Sequence, residues 1–321
     1  MLRRLALALV LFVLSGGAFL AWLWQQRPGL DAYRTHAYSA PPTPGKLTAT
    51  WFGVTALLLR DGEHAVFIDP FFSRPPGLVN LLLDRRIAPD EALIRRWLAR
   101  AGVTRLDAVL VSHSHYDHAM DAGVVARLTG AQLVGSESTA NIGRGSGLPE
   151  SQMTLARAGE ALQFGPFRVS FIESRHAGRT GGAPTGDITA PLTLPARYID
   201  YRQGGTWSIL VEHPQGRVLH HGSAGFVPGA LAGRQSDVVF LGVALIDDLP
   251  AYLAQTVDAV GAQRVVPVHW DDFTRPLDQP LTPFPVAVRL DRFFDRMAQR
   301  PELQVQTLEV GQPVALFPPA P

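Results

Sequence analysis

Asp107-Ala108-Val109-Leu110-Val111-Ser112-His113-Ser114-His115-Tyr116-Asp117-His118 is the stretch from which the rest of this chain is read. An apolar, β-rich run, Ala108 to Ser112, ends in three histidines and an aspartate packed into six residues. Alternate side chains of an extended segment share a face, so His113 and His115 point to one side. The turn that follows brings Asp117 and His118 to an adjacent position. Neutral imidazoles still need hydrogen-bond partners, so this is a poor packing choice at the end of a buried strand. It suits metal binding, with room for two ions. Four ligands are too few for two sites, so others are expected at the ends of other strands. His176 follows the run Phe167 to Ile172, and His269 follows Val265-Val266-Pro267-Val268.

Composition bounds the ligand types. The 321 residues are 46% hydrophobic and carry 29 basic against 28 acidic side chains, a net charge of +1. Disorder needs low hydrophobicity and high net charge, and neither is present. A nucleic-acid partner is excluded for lack of a basic stripe to neutralise phosphates. Cysteine is absent, which removes disulfides, thiolate sites and cysteine nucleophiles together. Any metal must be held by His, Asp or Glu.

Leu5 to Trp24 is a run of twenty uncharged residues, preceded by Arg3 and Arg4. At about 1.5 Å per residue it spans roughly 30 Å, a bilayer's hydrocarbon thickness. It continues through Phe19, Leu20, Trp22, Leu23 and Trp24 rather than ending in small residues, which favours an uncleaved anchor over a cleaved signal peptide. The arginines orient the amino terminus inward. The expectation is a single pass of the inner (cytoplasmic) membrane through residues 5–24, with the catalytic domain outside the cytoplasm, in the periplasm. Residues 1–26 are then the anchor, 27–46, with Pro41, Pro42 and Pro44, a stiff linker, and 47–321 one domain.

Within that domain, strand candidates are Thr48 to Leu59, Ala65 to Ile68, Ala108 to Ser112, Gln132 to Val134, Phe167 to Ile172, Thr206 to Val211, Arg217 to His220, Val238 to Leu241 and Val265 to Val268. Amphipathic helices are expected over Ala92 to Ala101, Asp121 to Thr129, Pro250 to Val260 and Val288 to Gln299. Strands mixed with helices throughout give an α/β or α+β layered fold. Thr180 to Gly205, rich in Gly, Pro and Thr, reads as a long insertion of the kind that forms lids. The Gly143, Gly145, Gly147 cluster reads as a flexible loop, since no strand runs into it.

His113-x-His115-x-Asp117-His118 after a short strand, Asp69 ending an earlier strand, a lone later His and Pro267-Val268-His269-Trp270 resemble the metallo-β-lactamase-fold hydrolases. The resemblance covers roughly Leu47 to Pro285. His-Ser-His-Tyr-Asp-His and Pro-Val-His-Trp are most similar to the group containing the lactonase UlaG and the N-acylphosphatidylethanolamine phospholipase D. It implies an αββα sandwich with two zinc ions at one edge. His113, His115 and His176 would hold one, and Asp117, His118 and His269 the other. That group carries a metal-bridging Asp where this chain has Ser223, so the second zinc is expected to bind less tightly. His220 or His221 is an alternative nitrogen donor, and alternation predicts that only one of them points inward, the other facing solvent.

Zinc lowers the pKa of its bound water from near 15.7 to about 7, which supplies hydroxide at neutral pH. Asp117 and His118 would carry the catalysis, Asp117 orienting the hydroxide. The expected activity is that of a membrane-anchored zinc hydrolase acting on an ester, lactone, amide or phosphodiester, from a small molecule or a lipid. Phe71, Phe72, Leu78, Val79 and Leu81 suit a lipid substrate if they are exposed and belong to the core if they are not. A catalytically weakened metal-binding protein of the same fold and a β-lactamase-like amidase are the competing readings.

Overall fold

Alternation along the strands shows which faces are covered. In Leu57–Arg60, Leu57 and Leu59 enter one apolar cluster and Leu58 another; Val66 and Ile68 of Ala65–Ile68 part in the same way from Ala65 and Phe67. A sheet buried on both faces needs a layer on each side. In this computed structural model, which describes residues 2–25, 30–75, 77, 83–178, 181–284 and 287–317, both layers are present.

The first cluster joins two seven-stranded sheets face to face. One sheet runs, in spatial order, Pro313–Ala315, Thr48–Trp51, Leu57–Arg60, Ala65–Ile68, Ala108–Leu110, Gln132–Gly135 and Met153–Leu155, the last four parallel. The other runs Gln304–Val305, Arg264–Val268, Val238–Gly242, Gly216–His221, Trp207–His213, Phe167–Glu173 and Ala161–Phe164. Beneath the first sheet's outer face lie the helices Glu91–Arg100, Ala122–Thr129 and Glu137–Gly145, which contribute Ile94, Trp97, Val125 and Ile142 to the second cluster. Asp90 caps the first of these, its side chain accepting from the Leu93 amide at 2.9 Å. Leu290, Phe293, Phe294 and Met297, spaced to share one face of the helix Leu290–Met297, pack into the cluster between and behind the sheets. This is the αββα layering expected.

Several expectations need correction. Thr48 to Leu59 is two strands, because Gly53 at φ +80° and Val54 at φ +45° turn the chain into a hairpin. The glycine cluster is not a flexible loop: Gly143 and Gly145 lie in the helix Glu137–Gly145, where their missing side chains admit close neighbours. A Cβ on Gly145 would stand 2.1 Å from the Leu192 carbonyl oxygen. Pro250 to Val260 begins as the α-helix Leu249–Leu253 and continues as a π-helical turn, Ala254–Asp258. The segment taken as a linker is docked: Tyr33 stacks on Phe294 at 4.1 Å, and the Tyr38 hydroxyl donates to the Ala315 carbonyl at 2.8 Å. Phe71 and Phe72 are buried core, so they present no lipid-facing surface; Leu78, Val79 and Leu81 lie outside the described residues. The apolar run forms the helix Leu2–Gln25, whose stretch Arg3–Trp22 has a mean hydropathy of 2.3 and is not buried.

The Phe72–Ser73 turn is fastened by Asp121, whose Oδ2 accepts from the two amides at 2.6 and 2.8 Å. Burial pushes this carboxyl up to about 6 against the pull of those amides. A folded pKa above the ordinary 3.8 means that the stabilisation is full below about pH 4 and is lost as pH rises through about 6. Asp121→Asn is therefore expected to gain stability relative to the wild type between pH 4 and 7, read as the shift in denaturation midpoint at each pH. A difference independent of pH would contradict this.

Candidate metal centre

The strands preceding the chemistry-bearing loops run in one direction. Ala65–Ile68 and Ala108–Leu110 are parallel, so Asp69 and His113 leave the first sheet at the same edge. In the second sheet Gly216–His221, Val238–Gly242 and Arg264–Val268 are parallel, and Phe167–Glu173 shares their direction, being antiparallel to the intervening strand. His176, Ser223 and His269 therefore leave at one edge too. A hydrogen bond from the His269 amide to the Val54 carbonyl, 2.7 Å, ties the two edges together.

Two groups of donors form there. His113, His115 and His176 make one, and Asp117, His118 and His269 the other, each with its ligand atoms within 4.8 Å of one another. The second group is a tight triangle: His118 Nε2 to His269 Nε2 is 3.3 Å, His269 Nε2 to Asp117 Oδ2 3.4 Å, and His118 Nε2 to Asp117 Oδ2 3.6 Å. Ligand atoms about 2.0–2.1 Å from a tetrahedral ion stand roughly 3.3 Å apart, so the triangle has the size that a metal requires. The His113 and His118 rings, centroids 3.8 Å apart, join the two groups.

The outer hydrogen bonds decide which nitrogens face inward. His118 Nδ1 donates to Asp69 Oδ2 at 2.9 Å, leaving Nε2 with its lone pair. His115 Nε2 donates to the Pro184 carbonyl at 3.2 Å and frees Nδ1; His176 Nδ1 donates to the Ala177 carbonyl at 2.9 Å and frees Nε2. His113 Nε2 is buried without a hydrogen-bond partner. A buried nitrogen left in that state is expected where a cation completes it.

Electrostatics point the same way. Burial, reinforced by the neighbouring imidazoles, holds His113 well below the ordinary histidine value and His176 down at about 4, so both stay neutral and able to coordinate. At His118 burial opposes protonation, but the charges of Asp117 and Asp69 outweigh it and raise the pKa. Burial also works against ionised Asp117, yet His118 and His269 keep the carboxyl well below its usual range. The second group thus favours added positive charge.

The remaining candidates fall outside the two groups. Asp69 is fully engaged by the Ser112 amide at 2.7 Å, the Ser112 hydroxyl at 2.6 Å and the Thr55 hydroxyl at 2.9 Å, besides His118. Both His220 and His221 are buried, which overturns the expectation that one faces solvent. They point to opposite sides of a strand covered on both. His220 Nε2 donates to the Thr55 carbonyl at 2.8 Å, and His221 lies between the Ser208 hydroxyl and the Gly225 carbonyl at 2.7 and 2.8 Å. Ser223 lines the same cavity as His115, Asp117, His176 and His269, and its Oγ accepts from the Ala177 amide at 2.8 Å. Among the described residues no carboxylate bridges the two groups.

The insertion Thr180 to Gly205 also supports two of the histidines. Besides Pro184, which receives His115, it places Gly182 at φ +81° against His176, where a Cβ would lie 2.2 Å from the imidazole Cγ. Gly182→Ala is expected to displace His176 and weaken metal binding at the first group by about 10- to 100-fold, the usual effect of disturbing a ligand's support. Metal titration checks it, and wild-type affinity at both sites would contradict it.

Residues 64–270, which include all six donors, match the beta-lactamase superfamily domain. A UPF0173 metal-dependent hydrolase of Myxococcus xanthus is 30% identical over 240 residues, 73% of this chain and 74% of that one. A second, from Pyrobaculum islandicum, is 26% identical over 229 residues, 70% and 84% of the two chains. Among solved structures, the metallo hydrolase Igni18 of Ignicoccus hospitalis is similar with a TM-score of 0.53 at 17% identity, over 84% of this chain and 97% of its own. An isothiocyanate hydrolase from Delia radicum gut bacteria gives 0.51 at 14% identity, over 84% and 100%. At such identities these two structures speak to the fold alone. With strand order, donor groups and sequence relatives in agreement, the chain belongs to the β-lactamase superfamily, as one of its metal-dependent hydrolases.

Proposed function

We propose that this chain is a membrane-anchored hydrolase holding two zinc ions, one on His113, His115 and His176 and one on Asp117, His118 and His269. The observation that carries this reading is the 3.3–3.6 Å triangle of donor atoms in the second group. Imidazole-rich sets with one carboxylate suit zinc, whereas magnesium and calcium take oxygen ligands. Bound there, zinc supplies water activation near neutral pH and polarises the scissile group.

The chain's own residues do the rest. Asp117, ionised and at the cavity wall, accepts a hydrogen bond from an O–H of the incoming water and so turns the water's lone pair toward the scissile atom. Asp69 and Thr55 hold His118, and Pro184 holds His115, so the donors are oriented before substrate arrives. No serine or cysteine nucleophile is required.

The helix over Arg3–Trp22 supports a single membrane pass, and Arg3 and Arg4 support a cytoplasmic amino terminus with the hydrolase domain in the periplasm. Full-length protein is expected to stay with membranes through a carbonate wash, and a reporter fused after Pro321 to be active outside the cytoplasm. Release by the wash would remove the anchor from this account; a reporter active only in the cytoplasm would reverse the orientation.

A further inference from the structure

The cavity beside the donors has a second wall with no part in holding metal, and that wall is mostly carbon. It encloses about 330 Å³, at the small end for a ligand pocket. Beside His115, Asp117 and His269 the cavity is lined by Tyr116, Tyr198, Leu245, Phe273 and Phe284. The aromatic rings form one continuous face. Phe273 stacks on Phe284 at 4.8 Å with 8° between the planes, meets His269 edge-on at 5.9 Å and reaches Tyr116 at 6.1 Å; Tyr116 in turn meets Tyr198 at 6.4 Å.

Charge is missing from this face. Among the described residues that line the cavity there is no lysine or arginine, and Asp117 is the sole carboxylate. Arg289 and Arg292 belong to a neighbouring cleft that meets this one at Leu245 and Ala287, and Arg289 is already paired with Asp291 at 2.5 Å. A charged substituent lying on the aromatic face would lose its hydration with no partner to replace it, while an alkyl or aryl group would leave water for a matching surface.

Resting on the metal-hydrolase reading above, we propose that the substrate is an uncharged carboxylic ester, open or cyclic, whose acyl group lies against the Phe273–Phe284 face. Hydrolysis then cleaves the acyl C–O bond. One water oxygen bonds to the acyl carbon, the electron pair of the broken bond goes to the alcohol oxygen, and the two water protons end on the alcohol and the carboxylic acid.

The test uses the full-length, zinc-loaded chain in detergent with 4-nitrophenyl acetate, butyrate and hexanoate, the anionic 4-nitrophenyl hemisuccinate, and bis(4-nitrophenyl) phosphate. The expected result is a kcat/KM that rises at least about 10-fold from acetate to hexanoate, the scale on which apolar pockets discriminate chain length, with hemisuccinate and the phosphodiester below butyrate. Phe273→Ala and Phe284→Ala should lower the hexanoate-to-acetate ratio by about 10-fold, with zinc content unchanged. Leu245→Arg, at a half-exposed position in the cavity lining, should raise hemisuccinate relative to butyrate by a similar factor. A wild type that favours the phosphodiester, or ester ratios unmoved in all three variants, overturns the proposal while leaving a zinc hydrolase intact. A chain that binds no zinc and hydrolyses none of the panel defeats the underlying reading instead.

Discussion

Hydrolysis by the His118→Ala variant is expected to fall at least about 1,000-fold. His118 supplies one corner of the donor triangle, and its loss leaves the second group with Asp117 and His269 alone. A metal contributes several kcal/mol of charge stabilisation in the transition state, and each 1.36 kcal/mol is a factor of ten, so about 4 kcal/mol corresponds to about three decades. Asp69 provides the graded comparison. Its carboxylate holds His118 Nδ1 from outside the donor set, and Asp69→Asn is expected to cost only about 10- to 100-fold. Steady-state rates on whichever ester proves best measure both. Equal losses in the two variants would mean that Asp69 acts as more than a support, and a His118→Ala variant with near wild-type activity would take the reaction away from this site.

The largest effect on stability is expected at Asp271. Its carboxylate pairs with Arg74 at 2.7 Å, both side chains almost wholly buried, and its other oxygen accepts from the Val54 amide at 2.7 Å. Val54 in turn gives its carbonyl to the His269 amide. Val54 at φ +45° and His269 at φ +58° occupy backbone regions that β-branched and bulky residues avoid, and this network over-determines both. Asp271→Ala leaves the Arg74 guanidinium buried without its partner, which costs about 3–5 kcal/mol. Arg74→Met combined with Asp271→Leu removes both charges and is expected to be less destabilised than Asp271→Ala alone. Denaturant midpoints of the three proteins decide it. A single variant within about 1 kcal/mol of the wild type would show that the pair is solvated or dispensable. Because the network anchors His269, Asp271→Ala should also bind less metal at the second group.

What was legible in the sequence follows from how each feature is encoded. The gathering of the six candidate residues into two groups was readable because four sit in one short segment and the other two follow strongly β-prone runs, so their approach required only parallel strands ending at one edge. The layers were readable from alternating and amphipathic apolar residues. Short edge strands such as Met153–Leu155, Ala161–Phe164 and Pro313–Ala315 were not, since three or four residues carry little periodicity and their conformation is set by a neighbour's open edge. The Asp69 contact to His118 and the Thr55 hydroxyl beside it join positions 49 and 63 residues apart, and nothing local in the chain announces such a pairing. Thr55 had one available signal, a small polar residue directly after the Gly53–Val54 turn. His220 and His221 were misjudged because alternation was taken to mean one buried and one exposed face, whereas both faces of Gly216–His221 are covered. The aromatic wall, from Tyr116 through Phe273 to Phe284, is assembled from segments far apart in sequence and became visible only in three dimensions.

The most direct test is the number of metal ions that the intact chain holds. Full-length protein purified in detergent, stripped with chelator and titrated with zinc, is predicted to retain close to two ions per chain after desalting, the second released more readily because Ser223 offers no bridging carboxylate, and the His118→Ala variant close to one. No more than trace zinc in a folded wild type, or two ions retained by His118→Ala, would contradict the account.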